Sequence, residues 1–183
     1  MFSMAGISLL LPFLPLFPKQ ILLMNLMTDF PEMAIATDNV DKEMIDHPRR
    51  WDIKVIRKFM IVFGLVSSLF DYLIFGVLLL FLQATQVQFR TGWFLESVIS
   101  ASLIVLVIRS RKPFFRSRPG KYLFIATLLI IGTTLILPFT PLAGIFGFSP
   151  LPIPFLLFIV IIILFYIITA EMVKKIFYKK VIF

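Results

Sequence analysis

Cysteine is absent from this chain and histidine occurs once. Without cysteine there is no disulfide framework, no thiolate metal site, no thiol nucleophile and no thiol-based redox function. The single His47 sits in DHPRRWD with no second nitrogen or sulfur ligand nearby, so it reads as a solvated loop residue. Acidic side chains are scarce, 10 against 18 Lys and Arg, for a formal charge of +8. No G-x-x-x-x-G-K-[ST], G-x-S-x-G or H-E-x-x-H pattern occurs, and no catalytic residue is assigned. No internal repeat or low-complexity segment is present, and the loops leave no room for a nucleotide-binding domain or an ATP site.

What fills the chain instead is hydrocarbon. Hydrophobic residues make up 60% of 183, with 22 Phe and a mean hydropathy of +1.00, more than a soluble core could hide. A helix needs about 20 mostly apolar residues to cross a core of about 30 Å. Five segments meet that: 20–36, 55–82, 93–108, 122–145 and 153–173. Residues 1–17 read as a partial helix and a Pro-rich outer loop, because Pro12, Pro15 and Pro18 break an apolar run too short to span. A signal peptide would need a basic leader and a small-residue cleavage site, which this stretch lacks. The expected fold is all-α, a polytopic membrane bundle of about five full helices plus the partial one, 1–183 forming a single membrane domain with no soluble domain.

The basic charge follows this layout. If the spans alternate in direction, 16 of the 18 Lys and Arg fall on one side: those of loops 37–54 and 109–121 and of the tail after Val173, with Arg57 and Lys58 beside the first loop. Only Lys19 and Arg90 lie opposite. Cytosolic loops carry such an excess, so the C-terminus is expected in the cytosol of a multi-pass plasma-membrane protein. The charge therefore points to membrane lipid as a partner and not to nucleic acid.

One span is unlike the rest. The stretch 25–41, NLMTDFPEMAIATDNVD, places carboxylates in an apolar segment, where an ionisable group costs roughly 2.5 to 3.5 kcal/mol and marks an ion or substrate path. At 100° per residue, Asn25, Asp29 and Glu32 share about 60° of arc with Thr28 beside them. Oxygen ligands of this kind suit magnesium or calcium, and one helix supplies only part of the shell. Pro31 removes a backbone donor and is expected to interrupt the helix, freeing carbonyls near Met27 and Thr28. The metal-site candidates are thus Asn25, Thr28, Asp29 and Glu32. Interhelical hydrogen bonding is the equal reading for Asn25 and Thr28, and hydration near the cytosolic end for Glu32. Two further acids lie within spans. Glu96, three residues past Trp93, reads as an interfacial carboxylate at least as readily as a ligand. Asp71 reads as hydrogen-bonded to a hydroxyl such as Ser67 or Ser68. Ser97, Ser100 and Ala101 form a small-residue face suited to close helix packing.

LPLFPKQILLMNLMTDFPEMAIATDNVD, PRRWDIKVIRKFM, SSLFDY, TGWFLES and VIRSRKPFF together resemble the C-terminal membrane portion of the P-type cation-transporting ATPases, magnesium-translocating type, in the order of that family's helices. The resemblance covers essentially the whole chain. It implies that the spans are the sixth to tenth membrane helices, preceded by the end of the fifth, and that Asn25, Thr28 and Asp29 match cation-binding positions. Glu32 rests on the shared face alone. The transported cation would be Mg2+ ahead of Ca2+. The family's D-K-T-G-T and T-G-E motifs, its nucleotide-binding domain and helices one to four are not in this sequence. ATP hydrolysis is thus not expected of this chain alone, and its partners would be the N-terminal and cytosolic portions of the pump. The alternatives are a non-catalytic membrane protein, regulatory subunit or relic, that moves no ion, and a small channel, which would require oligomerisation.

Overall fold

The protein is described by a computed structural model covering residues 2–39, 53–110, 112–114 and 116–181. His47, most of the first basic loop and Arg111 lie outside the described residues. Among those described there is no strand. The helices are α1 (Phe2–Ser8), α2 (Pro18–Ala34), α3 (Ile53–Gly76), α4 (Gln86–Ile108), α5 (Lys121–Ile136), α6 (Leu142–Phe146) and α7 (Ile153–Val181). This is an all-α membrane bundle.

Among the described residues, four helical segments are long and apolar enough to cross a membrane: Ile53–Phe81, Gln86–Ile108, Lys121–Phe139 and Ile153–Lys179. The helix carrying the metal-site candidates is shorter than these. α2 has 17 residues and continues as a 3-10 turn over Ile35–Thr37, which together give about 31 Å, close to the thickness of the hydrocarbon core. Its start is set by Pro18 in the first turn, and Phe17 N–H donates to Gln20 Oε1 at 2.8 Å. The expected interruption at Pro31 does not occur. α2 runs through Pro31 to Ala34, because one missing donor is tolerable in a helix whose other bonds persist.

Other boundaries also differ from the sequence expectation. α4 begins at Gln86, so the expected loop 83–92 shrinks and Arg90 lies within a helix. The reason is a capping box: Thr85 N–H donates to Gln88 Oε1 at 3.0 Å, and Gln88 N–H returns to Thr85 Oγ1 at 3.4 Å. The span expected at 122–145 ends its α-helix at Ile136. Pro138 falls in a 3-10 turn, after which α6 forms a separate short helix that stops at Gly147, φ 75°. α3 ends in a π-helical turn, Val77–Phe81, and the chain reverses at Gln83, φ 46°. α7 continues well past Val173, so Lys174, Lys175 and Lys179 are helical.

α4 is the central helix: more than half of its apolar stretch is buried, against a third or less in the other three spans. It packs on α2, α5 and α7. Lipid offers no hydrophobic drive between helices, so close packing must hold them. Aromatic rings supply it here. Phe75 meets Trp93 edge-on at 4.8 Å, and Phe94 lies 4.6 Å from Phe148. Outward faces of α3, α5 and α7 carry Leu65, Leu69, Leu129, Leu164 and Phe165, all exposed as lipid-facing residues should be.

Candidate functional site

α2 is clamped at both ends. At its start the buried Gln20 donates through Nε2 to Phe146 O at 3.0 Å, and Lys19 Nζ donates to Ile145 O. Arg90 holds the preceding Pro-rich loop: its Nε donates to Leu14 O at 2.9 Å and its guanidinium sits 4.1 Å from the centre of the Phe17 ring. At the other end Asp38 accepts from Arg109 Nη1 and from Gly120 N–H, both at 2.6 Å, while Arg109 Nη2 donates to Ser117 O at 2.6 Å. These contacts tie the end of α2 to the connection between α4 and α5.

Between the clamps, Met27 and Pro31 are buried against the bundle, whereas Asn25, Asp29 and Glu32 are exposed and Thr28 is half-buried. The helical period accounts for this, since Met27 and Pro31 lie on the face opposite Asp29. Asp29 and Glu32 thus share the outward face of α2. Thr28 Oγ1 donates to Met24 O and Asn25 O, both at 3.1 Å, which commits its proton to its own helix and leaves its lone pairs as acceptors. Among the described residues no three Asp, Glu, His or Cys side chains converge as a cation cage.

Asn25 and Thr28 face a cavity of about 240 Å³ that also reaches Ser3 of α1, Ser67 and Asp71 of α3, and Ser97 of α4. Asp71 does not use Ser67 or Ser68 in the way expected. Its partners are Ser3 Oγ–H at 2.5 Å and Trp93 Nε1–H at 3.3 Å, brought to it by α1 and α4. Glu96 is buried inside the bundle. It is 2% exposed, in hydrogen-bonding reach of Ser97 and Ser100, and its Oε2 has no hydrogen-bond partner among the described residues. Early capping at Thr85 sets Glu96 more than two turns into α4. The small-residue face of Ser97, Ser100 and Ala101 lines the cavity. It opens space there instead of closing two helices together.

Lys174 stands out in the sequence only as a basic tail residue. It is fully buried, donating to Val107 O at 2.8 Å and Lys112 O at 2.9 Å, with Glu171 Oε2 at 2.9 Å. The signal was available: Glu171 and Lys174 are spaced i, i+3 at the end of a long apolar helix.

A multi-pass helical membrane protein, in which one short helix presents acids and amides while the others anchor it, is the class these features define. Comparison with known proteins gives the family. Residues 13–176 match the model of the cation-transporting ATPase C-terminus. The chain is 38% identical over 98% of its length to the magnesium-transporting ATPase, P-type 1, of Salmonella typhimurium (strain 14028s / SGSC 2262), and equally so to that of Escherichia coli (strain K12). It covers 20% of either relative. The chain belongs to the cation-transporting ATPase C-terminal family and corresponds to the C-terminal membrane portion of a magnesium-type P-type ATPase.

Proposed function

We propose that this chain serves Mg2+ transport across the plasma membrane as the C-terminal membrane part of an ATP-driven pump, with Asn25, Thr28, Asp29 and Glu32 contributing ligands to the transported ion. The observation that carries the reading is the outward face of α2: carboxylates on a helix that, with its 3-10 turn, is about as long as a hydrocarbon core is thick, turned away from α4–α7 and open to a further element. Mg2+ keeps several waters and takes one or two carboxylates, which matches a partial ligand set of this kind better than an all-protein cage. The N-terminal and cytosolic portions of such a pump would supply the remaining ligands and the phosphorylation chemistry.

In this reading the clamps at Gln20 and Asp38 hold α2 against α4–α7, which act as an anchor. Conformational change elsewhere then tightens or opens the shell around Asp29, and transport follows from the difference in affinity between the two states. The C-terminus and the basic loops would face the cytosol, with Lys19 and Arg90 outside. The test is Mg2+ uptake into cells carrying the complete protein with Asp29→Asn. Loss of uptake at normal membrane abundance is expected, and uptake equal to wild type would refute the ligand role and favour a membrane protein without ion transport.

A further inference from the structure

Lysines near the end of a long apolar helix normally carry their heads to water, and Lys175 and Lys179 of α7 are exposed in that way. Lys174 is fully buried instead. Its Nζ meets Val107 O at 2.8 Å, Lys112 O at 2.9 Å and Glu171 Oε2 at 2.9 Å. Val107 O belongs to the last turn of α4, where a helix has no donors of its own to offer. An ammonium from α7 therefore caps α4 from outside. The turn that follows is fixed with it, since Lys112 N–H donates to Ser110 Oγ at 3.1 Å. Phe63, Val107 and Ala170 form an apolar cluster of their own here, joining α3, α4 and α7.

Two residues past Val107 the same turn is held from its other side. Arg109 pairs with Asp38 at 2.6 Å and donates to Ser117 O, while Gly120 N–H donates to the second Asp38 oxygen. A Cβ on Gly120 would lie 3.0 Å from Asp38 Cα and 3.1 Å from Thr37 O, so the connection between α4 and α5 is seated directly against the end of α2. We propose that Lys174 is a positioning residue for α2: by capping α4 it sets the place of Arg109, and through the Arg109–Asp38 pair the end of α7 fixes where the end of α2 stands. A displacement of α7 at Lys174 then reaches the helix that carries Asp29 through a short polar relay, without α7 having to touch α2. The effect on Mg2+ rests on the function proposed above, whereas the relay rests on these contacts alone.

A relay of this kind is established by measured coupling and not by proximity. The complete protein carrying this chain, in lipid nanodiscs, is followed by hydrogen exchange and mass spectrometry on the peptide containing Asp38. Losing a hydrogen bond from a charged donor shifts a local equilibrium about tenfold or more, so Lys174→Met should make opening of that peptide at least about tenfold more frequent. Lys174→Met combined with Glu171→Leu, which leaves no unpaired acid, should show the same loss, and it decides if Lys174→Met alone does not fold. Phe94→Ala, a core change nearer the start of α4, should leave the peptide as in wild type. Once Asp38→Asn has cut the last link, adding Lys174→Met should change little further. Unchanged protection in the Lys174 variants, an equal loss in Phe94→Ala, or strictly additive effects of Asp38→Asn and Lys174→Met each overturns the proposal. In Mg2+ uptake, Lys174→Met should raise the half-saturating concentration several-fold at an unchanged maximal rate per pump, because the ion's own binding must then set α2 in place. Half-saturation equal to wild type overturns the positioning role. If Asp29→Asn takes up Mg2+ like wild type, the function proposed above fails, and the exchange cycle still decides the relay.

Discussion

Replacing Asp38 by Asn tests whether the clamp at the end of α2 is structural in the way its geometry implies. The Asp38 and Arg109 side chains are 9% and 2% exposed, their ion pair is 2.6 Å long, and the second Asp38 oxygen takes the Gly120 N–H. The introduced amide would keep the Gly120 bond through its carbonyl oxygen but turn its N–H2 toward the guanidinium. Breaking a buried pair costs about 3 to 5 kcal/mol. Arg109 retains Ser117 O and Oγ as acceptors, which brings the expected loss to about 2.5 kcal/mol, the range of a single hydrogen bond to a charged group. At about 1.4 kcal/mol per factor of ten, local opening should become about 60-fold more frequent. Hydrogen exchange followed by mass spectrometry on the peptide containing Gly120 reads this directly, as an equal drop in protection. Arg109→Met and the double variant complete a cycle with an expected coupling of at least about 1 kcal/mol. Unchanged protection in Asp38→Asn, or strictly additive effects, would refute the assignment.

Lys174→Met should leave Glu171 buried without its cation and remove the donor to Val107 O and Lys112 O, lowering stability by about 3 kcal/mol in detergent unfolding. Adding Glu171→Leu should recover part of that loss, whereas no recovery would show that the ion pair is not the cause. Phe94→Ala removes a fully buried ring packed on Phe148. Because lipid is itself apolar, the cost is mainly that of the cavity, and about 100 Å³ at about 24 cal/mol per Å³ gives about 2.4 kcal/mol. An unchanged unfolding midpoint would contradict that packing account.

Membrane class and helical content were legible in the sequence because apolar length against a fixed bilayer thickness is a local property. Individual boundaries were less so. T-x-x-Q at Thr85 starts α4 earlier than hydropathy suggests, since Arg90 and Thr91 are polar in composition but are held inside by the Pro-rich loop and by Ser149 N–H, which donates to Thr91 Oγ1 at 3.1 Å. Pro31 looked like a break, yet a single lost backbone bond did not end α2. Pro138 did end α5, with Thr140, Pro141 and Gly147 near enough to redirect the chain into α6.

The stripe of Asn25, Thr28, Asp29 and Glu32 could be read from spacing, because residues three, four and seven apart share a helix face whatever surrounds them. Which way that face turns could not. Only packing of Met27 and Pro31 against the bundle sends Asp29 and Glu32 outward. In the same way Asp71 and Glu96 are far apart in sequence, and nothing local says that α1 and α4 will bring Ser3 and Trp93 to the first while leaving an oxygen of the second unpartnered. The sequence by itself determined the periodic and additive features, namely span length, charge distribution and shared helix faces. The tertiary structure alone decided burial and hydrogen-bond partnership, because these depend on which distant helices meet, and an acid has no partner until another chain segment is placed beside it.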